Sequence, residues 1–272
     1  LTGNPIANVG IRVMNLAGGQ VAAAATDTGG LYTVSGLPFG AYFLRTANTQ
    51  GWVDELHNDI PCPNAACNIL NGDPVGVTAG SPAVVDFALQ QGGAVAGTIV
   101  DGATQLPLQN FTAQVYALGG TLLGAAQTDV TGAYLVRGLP DGSYYVKTSN
   151  GMGYLDEVYN DKACPGGVGT GCLAYGDAVP VTVGSTTGGI DFALGSGGRF
   201  AGVITDATTG TPLQNVTVRA LNPNGSTVGS GISDATGAYL ISGLPAGTFL
   251  IRTTSAIGYI DELFNDIPCP AG

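Results

Sequence analysis

"TDVTGAYLVRGLPDGSYYVKT", residues 128–148, sets the reading of the whole chain. Tyr, Val, Leu and Thr fill two short runs, "GAYLVRGL" and "GSYYVKT", which often alternate apolar with polar residues. A Leu-Pro-Asp-Gly turn lies between them. That period of two belongs to half-buried strands, and no 3.6-residue apolar stripe competes with it. Ahead of the first run, Asp129 and Gly132 predict a tight turn. Its carboxylate accepts backbone N–H groups, the glycine takes a positive φ, and Tyr134 turns into the core.

The opening of that stretch occurs three times, as "TDTGGLYTVSGLP" at 26–38, "TDVTGAYLVRGLP" at 128–140 and "SDATGAYLISGLP" at 233–245. A second motif keeps the same register: "GWVDELHNDIPCP" at 51–63, "GYLDEVYNDKACP" at 153–165 and "GYIDELFNDIPCP" at 258–270. "VDFAL" at 85–89 returns as "IDFAL" at 190–194, and "GGAVAGTIVD" at 92–101 as "GGRFAGVITD" at 197–206. The chain therefore reads as tandem units of about 104 residues. Residues 1–90 form a first unit lacking its first strand, 91–195 a complete second unit, and 196–272 a third lacking its last strands. About seven short strands per unit, with turn signals between them, predict an all-β fold of tandem antiparallel β-sandwiches. Only four residues, "QQGG" or "GSGG", separate "DFAL" from the next opening strand. A flexible linker needs more length, so neighbouring units are expected to touch and form a semi-rigid rod.

Composition excludes several functions. With 19 acidic against 8 basic residues and a net charge of −11, the chain repels phosphate backbones, so nucleic acid is not an expected partner. No run of about 18 apolar residues is present to span a membrane. Forty-five glycines without a collagen period fit many tight turns. The five cysteines form two short-range pairs, Cys62 with Cys67 and Cys164 with Cys172, plus Cys269, whose partner is expected beyond residue 272. Disulfides imply an oxidising compartment, and closing each short loop is worth roughly 2 kcal/mol.

These motifs resemble the carboxypeptidase regulatory-like module, on "GTIVDGATQLPLQNFTAQVYAL", "TDVTGAYLVRGLPDGSYYVKT" and "VPVTVGSTTGGIDFAL". The resemblance implies a transthyretin-like (prealbumin-like), Ig-like β-sandwich, related to the B-type repeats of collagen-binding surface adhesins. It further implies a non-catalytic module, found in tandem in secreted and surface proteins as spacer, stalk or adhesion element. Some relatives of that kind carry a Lys–Asn isopeptide crosslink. Here the two lysines, Lys147 and Lys162, align with Arg45 and Arg252 and with Ile60 and Ile267, so no such crosslink can repeat.

The acidic motif has two readings. Asp54, Glu55, Asn58 and Asp59 recur as Asp156, Glu157, Asn160 and Asp161 and as Asp261, Glu262, Asn265 and Asp266. Hard oxygen ligands at this density suit Ca²⁺ as a cofactor, but six to eight oxygens are needed and adjacent strand residues point apart. The other reading has the acids capping turns while flanking apolar residues anchor the loop. The only histidine, His57, aligns with Tyr159 and Phe264, so a repeated nucleophile–histidine pair is excluded, and a zinc site lacks repeated ligand spacing. Glycosylation sequons stand at Asn110, Asn215 and Asn224. Trp52, Tyr154 and Tyr259 are the repeated aromatics that could carry a sugar platform, and they read as core anchors.

The expected function is a non-catalytic structural one: the stalk or filament segment of an extracellular or cell-surface protein. Its partners would be neighbouring repeats or copies of itself in a fibre. The alternative is a calcium-stabilised adhesin, or a carbohydrate-binding accessory of a larger secreted protein that meets host or matrix protein or carbohydrate.

Overall fold

The structure, a computed structural model, describes residues 3–80, 82–164, 171–255 and 258–269. Among these, nearly every element is a strand, and the helical pieces Pro63–Ala65, Ile69–Asn71 and Leu173–Tyr175 are single 3-10 turns. The chain is all-β, as its two-residue periodicity predicts.

The second unit shows the architecture most fully. One sheet runs in the order Lys162–Ala163, Glu157–Val158, Gly142–Ser149, Thr112–Ala117, Leu122–Gln127, with Val179–Val181 also against Gly142–Ser149. The facing sheet centres on Gly93–Asp101, with Ala133–Leu139 antiparallel on one side. On its other side lie Thr186–Thr187 and Phe192–Leu194, and both run parallel to it. These two pairings depart from the antiparallel expectation. A parallel neighbour needs a long crossover, and the rest of the unit supplies one.

Inward residues alternate along each strand and close one core: Val95 and Ile99, Tyr134 and Val136, Ala113 and Val115, Tyr144 and Val146, Phe192 and Leu194. Gly97 lies within Gly93–Asp101 because the chain at Ile190 crosses there; a Cβ would stand 1.9 Å from the Ile190 carbonyl oxygen. The Asp-x-x-Gly turn has the expected geometry. Asp129 Oδ1 accepts from Thr131 N at 2.8 Å and Ala133 N at 3.1 Å, Gly132 has φ 75°, and the buried Tyr134 donates to Ile190 O at 2.6 Å.

Smaller cores lie in the first unit, around Val9, Ile11, Val13, Tyr42 and Leu44, and in the third, around Val218, Ala220, Ile241 and Leu244. In the first unit the stretches at 31–37 and 83–89 follow the same path without ladder pairing. Tyr32 still donates to Val85 O at 2.6 Å, matching the Tyr134 bond. In the third, Gly198–Val203 pairs with Ala238–Leu244 alone among the described residues.

Candidate functional site

The repeated acidic motif folds into a loop organised by residues upstream of it. Gly40–Ala47 ends near Thr46, whose hydroxyl donates to Asp54 Oδ1 at 3.1 Å and accepts from Glu55 N at 2.9 Å. Asn48 binds both sides of the turn. Its Nδ2 donates to Asp54 Oδ1 at 2.7 Å and Trp52 O at 3.1 Å, and its Oδ1 accepts from Gln50 N at 3.0 Å and Trp52 N at 3.2 Å. The second unit repeats this with Thr148 and Asn150 around Asp156. In the third, Thr253 accepts from Glu262 N at 2.8 Å, and Asp261 accepts from Ser255 N at 2.6 Å. A carboxylate that accepts several such donors is satisfied within the fold. The sequence reading did not single out Thr46, Thr148, Thr253, Asn48 or Asn150. Their constant spacing of eight and six residues before the aspartate was the available signal.

The other candidate calcium ligands are spread apart. Glu55 reaches the closing stretch instead and accepts from Ala88 N at 3.2 Å. Asn58 and Asp59, with φ of 71° and 59°, form the tight hairpin between Glu55–Leu56 and Ile60–Pro61. Asn58 Nδ2 donates to Asp73. Asn265 and Asp266 take the same left-handed turn at φ 72° and 55°, and Asp161 does so at 53°. Among the described residues no group of three or more His, Cys, Asp or Glu side chains is placed to hold a metal ion.

The half-cystines hang from the same loop. Cys62, Cys164 and Cys269 each donate a backbone N–H to the carbonyl of the motif aspartate, at 2.6, 2.7 and 2.6 Å. Disulfides join Cys62 to Cys67 and Cys164 to Cys172, and Cys269 is free. His57 packs edge-on against Phe87, with ring centroids 6.4 Å apart, and its buried Nδ1 has no hydrogen-bond partner among the described residues. Asn110, Asn215 and Asn224 are exposed. Asn110 and Asn215 stand at φ 63° and 64°, as does Asn8 at 59°, so left-handed backbone accounts for asparagine in that repeated slot.

The loop's outer edge is where neighbouring units meet. Val53 N donates to Gln90 O at 2.9 Å and Gly92 N to Gly51 O at 2.8 Å, so Trp52 bridges Gln91 in a short antiparallel ladder. The second junction repeats it: Leu155 N to Gly195 O at 2.9 Å, Gly197 N to Gly153 O at 2.8 Å, and Tyr154 bridging Ser196. A third backbone layer comes from the Gly-Leu-Pro turn of the following unit. A Cβ on Gly92 would meet Gly138 Cα at 2.5 Å, and one on Gly197 would meet Gly243 Cα at the same distance. Gly138, at φ 77°, also leaves room for Trp52 O. The turn Pro63–Ala65 packs on Leu122–Gln127 of the second unit. Tyr154 ties the loop back to its own first strand through Asp101 Oδ2 at 2.7 Å, and Tyr259 donates to Asp206 Oδ2, three residues past Gly198–Val203, at 3.0 Å.

Burial makes this loop electrostatically uneven. Desolvation pushes Glu55 up to about 7, against the Ala88 N–H, with the charges of Asp59 and Asp54 adding to the rise. Glu157 is likewise pushed up to about 7 by burial and then by Asp161 and Asp156, and its Oε2 has no partner among the described residues. Asp101 goes the other way, held down to about 2 by the Tyr154 hydroxyl and then by the Thr104 N–H.

Residues 199–272 match the family model of the carboxypeptidase regulatory-like domain. The first and second units repeat the third unit's motifs in register. The chain is also 28% identical over 279 residues to Colossin-A of Dictyostelium discoideum, a match covering 94% of this chain and 2% of that protein. The chain thus spans a small fraction of that relative's length. Among solved structures, the Bacillus anthracis TIE protein is 19% identical, covering 99% of this chain and 47% of that one, with a TM-score of 0.30. A streptococcal ancillary pilin is 13% identical over 100% of this chain and 90% of its own, with a TM-score of 0.32. A shaft pilin of Lactobacillus rhamnosus GG is 12% identical over 72% and 88%, with a TM-score of 0.33.

Proposed function

We propose that the chain is a non-catalytic stalk or filament segment of an extracellular or cell-surface protein. In this reading, β-sandwich units divided at 90/91 and 195/196 stack as a semi-rigid rod. The observation that carries it is the joint itself. The same three-layer contact of acidic loop, glycine linker and Gly-Leu-Pro turn forms at both junctions. Short hydrogen-bonded junctions with interlocked backbone resist bending, as a spacer requires. The two disulfides and the regulatory-like domain match in the third unit support a surface setting. The repeated acidic loop then serves as an anchor, with partners being neighbouring units or further copies in a fibre.

Small-angle scattering on the chain in solution, with negative-stain microscopy, tests this. An extended particle with fixed spacing between units is the expected result. Scattering typical of independently tumbling modules would overturn the rod.

A further inference from the structure

The chain carries 8 basic and 19 acidic residues, yet three of its arginines face one place. Arg12 and Arg45 are directly opposed on the antiparallel strands Gly10–Met14 and Gly40–Ala47, so their side chains share a face. Burial lowers the Arg45 guanidinium, the nearby Asp54 charge opposes that, and the like charge of Arg12 adds a smaller lowering. Arg137, exposed on Ala133–Leu139 of the second unit, crosses the joint. Its Cβ and Cδ lie 3.5 Å from where a Cβ of Gly51 would be. All three arginines line a single cleft of about 860 Å³ between the first two units, together with Asn8 and Asn64. Asp54 lines it too, but its oxygens are already engaged by Thr46 and Asn48. Arg45 donates to Thr46 O at 3.2 Å, and Arg12 and Arg137 make no hydrogen bond or ion pair among the described residues.

The guanidinium fork matches the two oxygens of a carboxylate or sulfate. A polar, open cleft with amides beside those forks suits sugar hydroxyls next to an acidic group. The net charge of −11 works against any polyanion at long range, so binding here rests on the local guanidinium contacts and weakens as salt rises. We propose that this cleft binds a linear anionic polysaccharide, held by Arg12, Arg45 and Arg137 through its carboxylates or sulfates. The site depends on the stacked joint to bring Arg137 to the other two, but not on the stalk role. The corresponding residues of the second joint are Gln114, Lys147 and Ser242, and Lys147 is 1% exposed, so the site belongs to the first joint.

The experiment is calorimetric titration of the chain with alginate oligomers (carboxylate), dextran sulfate (sulfate), neutral dextran, single-stranded DNA and poly-glutamate. At least one of the two acidic saccharides is expected to bind, more weakly as salt rises, and which one identifies the group recognised. Arg137→Ser and Arg12→Gln, which install residues the other units carry, should each weaken binding about tenfold. Arg219→Gln in the third unit should leave it unchanged. Arg137 is exposed, so its variant reads out binding even where Arg12→Gln disturbs the fold. The proposal is overturned if neither acidic saccharide binds, if Arg137→Ser binds as well as the parent, or if DNA, poly-glutamate or neutral dextran binds more tightly.

Discussion

The second and third units share their strand sequences closely and bury them very differently. Gly93–Asp101 has neighbours on both sides, and its Val95 and Ile99 are fully buried. Its counterpart Gly198–Val203 has one neighbour among the described residues; Phe200, in the Val95 slot, is 37% exposed and Ile204, in the Ile99 slot, is half-buried. Tyr134 is buried where Tyr239 is half-exposed, and Leu240 is 54% exposed. The residues alone do not set these environments. The parallel closing strand Phe192–Leu194 does, because it lies over the edge of the opening strand and completes the inner layer.

The widest gap should open on removing that cover. Phe192 is 1% exposed, and Phe192→Ala should cost the second unit about 3–5 kcal/mol. Its counterpart Phe87 is half-buried on a stretch without ladder pairing, and Phe87→Ala should cost the first unit no more than about 2 kcal/mol. Hydrogen exchange resolved by unit measures both. Equal losses would show that the closing strand's pairing adds nothing to the core.

A finer comparison isolates the joint. Gly36 and Gly138 occupy the same turn at φ 76° and 77°, so alanine at either meets the left-handed penalty of about 1–2 kcal/mol. A Cβ on Gly36 touches nothing within 4 Å, whereas one on Gly138 stands 2.9 Å from Trp52 O. Both variants should lose similar stability within their units, but only Gly138→Ala should loosen the first junction in scattering. Loosening by Gly36→Ala as well would place the effect in the turn and not in the contact.

Much of this architecture was legible in the residues. Alternation in "GAYLVRGL" and the Asp-x-x-Gly turns gave strands and their core tyrosines because side-chain burial leaves a period in sequence. The cysteine pairs were legible through spacing. The parallel closing strand was not, since "IDFAL" reads alike whichever way its partner runs. The four-residue linkers gave the expectation that units touch, but not how: the bonds at Val53, Gln90, Gly92 and Gly51 use backbone atoms that any residue carries. The glycine at 92 and 138, repeated at 197 and 243, marks close approach without naming the partner. The acidic motif was ambiguous for the opposite reason: carboxylates look alike in sequence whether free or bonded, and only the fold shows Asp54 bonded to Thr46 and Asn48.

A smaller effect in the first two units depends on pH. Burial holds Glu55 and Glu157 near 7 in the fold, well above the ordinary glutamate value of about 4.5, and the folded chain therefore binds their protons more tightly. Their contribution is full below about 4.5 and is lost as pH rises through 7. Asp101, Asp129, Asp206 and Asp234 are shifted down and act oppositely, favouring the fold once pH exceeds the normal carboxylate range. Melting temperature should thus fall between about pH 5 and pH 8. Glu55→Gln with Glu157→Gln should flatten that slope. A slope untouched by the double variant would assign it elsewhere.

The smallest expected effect concerns calcium, and it separates the two readings of the loop. An ion bound to the folded chain alone raises the melting temperature by mass action. Asp54 and Asp156 are already bonded to Thr and Asn side chains, and Asn58 and Asp59 sit at a hairpin tip. No cage of six to eight oxygens is assembled from these positions. Melts in about 5 mM Ca²⁺ and in excess chelator should therefore coincide, for the parent chain and for Asp59→Asn alike. A calcium-dependent rise of several degrees that disappears in Asp59→Asn would mean the hairpin tip rearranges to take an ion, and the loop would then be a ligand site as well as an anchor.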